Sequence, residues 1–503
     1  MVGFLGMTGK ALSIAQVALV VAPSFILFGY NQSGLGPLLS EENWRHQFPQ
    51  INTVDYTGEV KAHHATLQGL VIATFTLGAL IGALSCSYTG TLLGRRWVIF
   101  IGALCTLIGE AIECSAFGLA QLIVGRVIIG LGVGQLSATV PVWQSECSSA
   151  KNRGKHVVLD GMFISFGYTL ESWIDFGFFT LKTGSVTWRP PIAIALLFSL
   201  IVLFSIWFFP ESPRWLLAQN RAQEARENLA ALKGLPVDSP EIEAECVGIE
   251  LSLEDSSTKA ASFKDLFSMG EDKLAYRFGL CILLQFFQQM SGTNLISVYA
   301  STIFQQGLGM TAYNSKLLSA GTLTWKFLSC FVAFFCIDRF GRRLCFMVSG
   351  GGMALCMVAL AVATSFPHDN YGASVAAAFF VYLFCFFTPI GFLGANFLYC
   401  TEVSPIRLRV AMASISTANH WLWNFAVAMI TPVAINNIGY QYYIVYACID
   451  PETKGRSLEE LDTIFKDSPS VLGTVKYAKY KPMMTADEVP YAKTSDHVYE
   501  EKV

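Results

Sequence analysis

The sequence predicts an all-α, polytopic membrane protein made of two six-helix bundles, with the twelfth helix cut short. Three observations carry that prediction. Only 14% of the 503 residues are charged and 53% are apolar, whereas a soluble domain carries about 25% charge. Eleven apolar runs are long enough to cross a hydrocarbon core, which takes about 20 residues each, and they fall into a group of six and a group of five. Short motifs then recur in the same order in both groups.

The runs of the first group lie near 11–33, 65–87, 97–117, 119–143, 156–180 and 190–210. Those of the second lie near 275–300, 313–337, 344–366, 373–400 and 411–435. The first run is long enough to span and has no small-residue cleavage site after it, so it reads as a helix and not a removable signal. The expected organisation is an N-terminal bundle over 1–210, a cytoplasmic helical linker over 211–274, a C-terminal bundle over 275–449 and a disordered, cytoplasmic-type tail over 450–503. The net charge of −3 argues against a nucleic-acid partner. Most of the 13 cysteines sit inside apolar runs and read as small hydrophobes, not as a disulfide framework.

Orientation follows the basic residues. The connections 94-GRR-96, 151-KNRGK-155, 338-DRFGRR-343 and 407-RLR-409 fall on one side if the spans alternate. The positive-inside rule places that side, the N-terminus and the middle polar segment in the cytoplasm. The opposite loop, roughly 37–64, mixes Arg45 and Lys61 with Glu41, Glu42, Asp55 and Glu59. An integral protein of the plasma membrane is expected.

Gly94-Arg95-Arg96 recurs as Gly341-Arg342-Arg343, and Glu146 with Arg153 recurs as Glu402 with Arg409. Pro210-Glu211-Ser212-Pro213-Arg214 recurs as Pro451-Glu452-Thr453-Lys454-Gly455-Arg456. A repeat of this kind implies two similar bundles side by side with a binding site at their interface. Glu146 and Pro210 stand 64 residues apart and enclose two spans, but Glu402 and Pro451 stand only 49 apart. The remainder, 440-YQYYIVYACID-450, is too short to cross about 30 Å at 1.5 Å per residue. Loop variation, a shortened isoform or a misjoined gene model would each explain it.

The ordered motifs 125-GRVIIGLGVG-134, 146-E…RG-154, 210-PESPR-214, 288-QQMSGTN-294, 338-DRFGRR-343 and 451-PETKGRS-457 resemble the sugar porters of the major facilitator superfamily. The resemblance runs from Phe28 to about Glu460, and the wording 419-NHWLWNF-425 is most similar to fungal members. It implies the major facilitator fold of twelve helices, a central sugar site and alternating access, with a small-molecule sugar and the bilayer as partners. No metal spacing, nucleophile elbow or phosphate loop points to an enzyme or a cofactor.

A sugar needs amides and hydroxyls that both donate and accept, and an aromatic face for its C–H side. Gln288, Gln289 and Asn294 lie within two turns of one expected helix, with Ser291-Gly292 between them permitting a bend. Trp421 and Asn424, at i and i+3, offer a ring and a further amide. The bland alternatives are amides that bond neighbouring helices and a tryptophan that only packs. The family pattern also marks departures. Gly161, beside Asp160, stands where the family often has a glutamine. Phe397 replaces a tryptophan, keeping the stacking face and losing the indole N–H. Lys326 stands where animal relatives tend to have asparagine. A lysine at helix centre costs about 2.5–3.5 kcal/mol, so it faces a cavity or a carboxylate. It either holds the carboxylate of an acidic sugar, or pairs with a protein acid or snorkels.

Arg95, Arg96, Glu146, Arg153, Asp338, Arg342, Arg343, Glu402 and Arg409 lie at helix ends. Topology alone would account for them; the resemblance implies a cytoplasmic gate of salt bridges between the bundles. Thr91 stands where the family expects an acid in the first half, whereas Asp338 is kept in the second, which predicts a lopsided network. The first-helix motif 27-LFGYNQSGLGPLL-39 carries Asn31 where proton-coupled porters place an aspartate, and an amide does not titrate near pH 7. Arg126 and Glu171, with Glu110 and Glu113, are further coupling candidates. The reading leans to facilitated diffusion, with proton symport as the alternative and a non-transporting sugar sensor as a rival of another class.

Overall fold

The computed structural model describes residues 6–148, 153–181, 184–257, 274–340, 342–367, 370–393, 400 and 409–447. Among these residues the regular structure is helical throughout. Helix α1 runs as Gly9–Gln16, a π-helical turn Val17–Val21 and Ala22–Ser33. It is followed by α2 (Gly58–Leu92), α3 (Arg95–Cys114), α4 (Leu119–Cys147), α5 (Arg153–Phe179) and α6 (Arg189–Ser205). Three shorter helices come next, α7 (Pro213–Ala218), α8 (Ala222–Lys233) and α9 (Pro240–Ser257). The second half holds α10 (Leu274–Met290, continued by Thr293–Thr302), α11 (Ala312–Phe340), α12 (Arg342–Thr364), α13 (Tyr371–Phe392), α14 (Arg409–Ile438) and α15 (Gln441–Ala447).

Each of the eleven expected runs falls on a helix, and eight described helical stretches are long and apolar enough to cross a membrane. The three that fall short are α5, α10 and α14. In α5 the run is interrupted by Asp160, Glu171 and Asp175, and in α14 by Asn419, His420 and Asn424. α10 is not the single helix the sequence suggests. It breaks at Ser291-Gly292, where Gly292 takes a left-handed φ of 85° that suits a residue without Cβ. Any Cβ there would also strike the Met357 Cε. These less apolar helices carry polar side chains inward, as intramembrane polar residues must be placed.

Apolar burial is divided between two cores. One gathers Phe25, Leu27, Phe75, Val133, Trp143 and Ile206 from α1–α6 and the turn after α6. The other gathers Leu295, Phe304, Met357, Val381 and Phe384 from α10, the π-turn after it, α12 and α13. α7–α9 bury a small core of their own around Leu216, Leu229 and Ile242. α15 has only 7 residues, about 10 Å of helix at 1.5 Å per residue. It packs on α12 and puts Tyr442, Tyr443 and Tyr446 into the second core. The expected truncation of the last helix and the expected tail, from residue 448 on, lie outside the described residues.

The two halves meet where α2 lies along α14 and α5 lies along α11. Within the first half, α2 and α4 approach backbone to backbone, because Gly78 and Gly82 face Val127 and Leu131 while Gly130 and Gly134 face Phe75 and Ala79. Small residues at such seams are what membrane helices use for close packing. In Gly130→Ala the new methyl meets the Phe75 carbonyl oxygen, and overpacking of this kind costs about 1–3 kcal/mol. The thermal midpoint of the detergent-purified chain should fall accordingly, followed by fluorescence-detected size exclusion. An unchanged midpoint would mean that α2 and α4 separate freely.

Candidate functional site

The break in α10 lets its two pieces face each other across Ser291-Gly292. Asn294, at the start of the second piece, donates from Nδ2 to the Gln289 Oε1 at the end of the first. The Asn294 Oδ1 accepts from the Gln32 Nε2 of α1 at 3.2 Å. The Gln289 Nε2 in turn lies 3.0 Å from the His420 Nδ1 of α14. A chain of four polar side chains, all buried, therefore runs from the first half into the second. A small void beside it is lined by Gln32, Phe75, Arg126, Asn294, Tyr299 and Asn424 and has room for about one water molecule. Among the described residues, the Asn424 Nδ2 and the Gln288 Oε1 are buried without a hydrogen-bond partner, an arrangement that costs about 1–3 kcal/mol per group unless something is bound.

Trp421 is fully buried. Its ring lies 4.9 Å from that of Phe28 and 5.7 Å from that of Phe75, and its Nε1 donates to the Ser137 Oγ at 3.3 Å. It packs against α1, α2 and α4, which fixes α14 to the first half. The Lys326 Nζ donates to the Ser297 Oγ at 2.7 Å and lies 4.9 Å from the centre of the Tyr168 ring. Phe397 lies outside the described residues.

Four of the five coupling candidates, Asn31, Glu113, Arg126 and Glu171, line one pocket together with Tyr30. The Asn31 Nδ2 donates to the Glu110 Oε1 at 2.9 Å, and the other oxygen of Glu110 accepts from the Ser199 Oγ at 2.7 Å. Arg126 pairs with Glu113 at 3.3 Å and lies over the Phe75 ring. The Glu171 Oε2 accepts from the Ser33 Oγ at 2.7 Å. Asp160 is buried apart, and neither carboxylate oxygen has a partner among the described residues.

At the end opposite the basic loops, sequence reasoning missed a charged cluster. The Lys316 Nζ of α11 lies 2.7 Å from the Asp175 Oδ2 of α5 and 3.0 Å from the Glu41 Oε1 in the loop after α1. All three side chains are at most 2% exposed, and the ammonium also lies over the Phe179 ring. One readable sign existed, a lysine inside the first turns of an apolar run. Its partners were hidden because they come from distant elements. Gln32 and His420 were missed as members of the amide chain for the same reason.

At the basic end, Arg95 makes a two-pronged contact with Glu146 at 2.9 and 3.0 Å. Both residues belong to the first half, so the pair ties α3 to α4 within one bundle and not across two. Glu211 caps the start of α3, accepting from the backbone N–H groups of Arg95 at 3.2 Å and Arg96 at 3.0 Å, where a helix favours negative charge. Burial nevertheless pushes the Glu211 carboxyl above its ordinary value, against the donors that pull it down. The Arg96 guanidinium donates to the Trp207 carbonyl at 2.9 Å. The side chains of Arg153, Asp338, Arg342, Arg343, Glu402 and Arg409 lie outside the described residues.

Removing one partner from a buried ionic cluster costs about 3–5 kcal/mol, because the remaining charge is left uncompensated. Lys316→Met should therefore lower the thermal midpoint more than Gly130→Ala does, while Lys316→Arg should retain most of the stability. Equal midpoints for Lys316→Met and the parent chain would show that the cluster does not hold α5 to α11.

A family model described as sugar (and other) transporter matches residues 17–465. The sugar transporter STL1 of Saccharomyces cerevisiae is 32% identical over 475 residues, covering 92% of this chain and 82% of the relative. The MFS-type transporter oryC of Aspergillus oryzae is 31% identical over 489 residues, covering 94% and 88%. Among solved structures, the major facilitator proton:xylose symporter XylE bound to 6-bromo-6-deoxy-D-glucose superposes with a TM-score of 0.75 at 22% identity, covering 91% of this chain and 100% of that one. That likeness is one of fold, two six-helix bundles in a membrane. By its sequence over residues 17–465, its helices and its relatives, this chain belongs to the sugar transporter family of the major facilitator superfamily.

Proposed function

We propose that this chain carries a sugar, a hexose or pentose, across the plasma membrane by alternating access, with the N-terminus and α7–α9 in the cytoplasm. The observation that carries this reading is the buried amide chain from Gln32 through Asn294 and Gln289 to His420, which crosses between the halves. Each link is a donor–acceptor pair that sugar hydroxyls can replace in kind. The unpartnered Gln288 Oε1 and Asn424 Nδ2 are the positions where a sugar supplies what the protein lacks. The bundles, 1–210 and 275–449, then rock about this site, with 211–274 as the linker and 450–503 as the tail.

The two ends of the interface play different parts in the cycle. Lys316 with Asp175 and Glu41 closes the outer end, and opening outward parts α5 from α11 there. Arg95 with Glu146 and Glu211 stiffens the inner end of the first bundle, which then moves as one piece. The relatives are transporters by name, so a sensor that binds sugar without moving it draws no support from them. Catalysis has no part in this reading.

Uptake of labelled D-glucose and D-xylose into proteoliposomes is the direct test, and absence of uptake for any sugar would end the proposal. Asn294→Ala removes two links and strands the amides of Gln32 and Gln289. Leaving such groups unmatched costs about 1–3 kcal/mol, so sugar affinity should fall by about tenfold or more in a concentration series.

For energy coupling, Asn31 supports facilitated diffusion, because its amide is committed to Glu110 and exchanges no proton near pH 7. Uptake should therefore change little between pH 5.5 and 7.5, values chosen to bracket the range in which most carboxylates stay ionised. Strong stimulation by acid that survives Asn31→Ala and disappears in Glu171→Gln would replace this reading with proton symport.

A further inference from the structure

We infer that Lys326 is a recognition point for a carboxylate on the transported molecule, so that the sugar site selects an acidic sugar over its neutral parent. The inference deepens the sugar-site reading and rests on it.

The sequence left three fates for this lysine, and the structure removes two. Snorkelling would carry the ammonium to an interface, but Lys326 is only 1% exposed. Pairing with a protein acid would show as an ion pair, and among the described residues Lys326 forms none. Its surroundings are the Ser297 hydroxyl on α10, the Tyr168 ring on α5, and the thiols of Cys330 on its own helix and Cys385 on α13. The acids of α5 are engaged elsewhere or out of reach. Glu171 accepts from Ser33 and Asp175 from Lys316. Asp160 lies about 12 Å further down the helix than Tyr168, at 1.5 Å per residue.

A buried ammonium without a counter-ion is costly, and a charged hydrogen-bond partner is worth roughly twice a neutral one. The position of this ammonium makes a ligand the natural source of that partner. Ser297, which it touches, is on the same helical piece as Asn294 and one turn further on. Residues so spaced have Cβ atoms about 5–6 Å apart, roughly the width of a pyranose ring. A sugar whose ring hydroxyls engage Asn294 and Gln289 would place an exocyclic carboxylate beside Lys326. A neutral sugar would leave the lysine with Ser297 alone.

The test compares matched pairs on the purified full-length chain in proteoliposomes, D-glucose with D-glucuronate and D-galactose with D-galacturonate, as competitors of labelled neutral sugar. At least one uronate should compete about tenfold better than its parent sugar, a gain within reach of a single charge-assisted hydrogen bond. In Lys326→Met that ratio should fall to near one, and in Lys326→Arg it should persist. Thermal midpoints of both variants establish that they fold. Neutral sugars competing while every uronate competes no better, or a uronate preference that survives Lys326→Met in a folded protein, would overturn the inference and leave the sugar site standing. Failure of both members of every pair would overturn the sugar site and this inference together.

Discussion

A polar side chain inside a membrane cannot face lipid without a large cost, so it must turn toward other protein. In this chain that constraint collects one set of polar groups inside the first half and another on the plane between the two halves. Gln32, Asn294, Gln289 and His420 line up across its middle, and Glu41, Asp175 and Lys316 close one end. The helices that supply most of them, α5, α10 and α14, are less apolar than the rest or broken. The outer faces of the bundles carry exposed apolar residues such as Leu197, Phe204, Leu355 and Val362, as a lipid-facing surface requires. One plane therefore holds both the recognition chemistry and the contacts that must break for the halves to move.

The strengths of those contacts are unequal in a way that suits movement. Neutral amide links are net worth only about 0.5–1.5 kcal/mol each, and their loss on opening is repaid when a polar ligand takes their place. The ionic cluster has no such ligand to replace it. Its three side chains stay buried or become hydrated, and hydration on opening offsets part of the Coulombic loss. A two-state machine needs its states within a few kcal/mol of each other. A middle that trades partners and an end that trades protein for water both keep the difference small.

Local features of this structure were legible in the sequence, and pairings were not. Apolar length fixed the helices, and the amides of 288-QQMSGTN-294 stood out as a polar group inside an apolar run. The Ser-Gly pair signalled a bend, although not that the two amides would bond each other across it. By contrast, Gln32 meets Asn294 and Lys316 meets Asp175 only because α1 faces α10 and α5 faces α11. Nothing in the chain near Lys316 names Glu41 as its partner. Trp421 was legible as an inward aromatic, but whether it faces a substrate or other rings depends on Phe28 and Phe75, residues hundreds of positions away. Arg95 and Glu146 were legible as charges at helix ends of the first bundle, yet only the packing of α3 on α4 shows that they pair with each other.

The interruption at Gly292 has a mechanical consequence. A continuous helix transmits a push along its axis, whereas two pieces joined through a left-handed glycine can change their mutual angle with little strain. Gln289 and Asn294 sit on opposite sides of that joint, so a molecule bound to both acts as a splint across it. Occupancy would then exchange the direct Asn294–Gln289 bond for a bridge through the bound molecule, changing the spacing across the joint and with it the lever that the second half swings on.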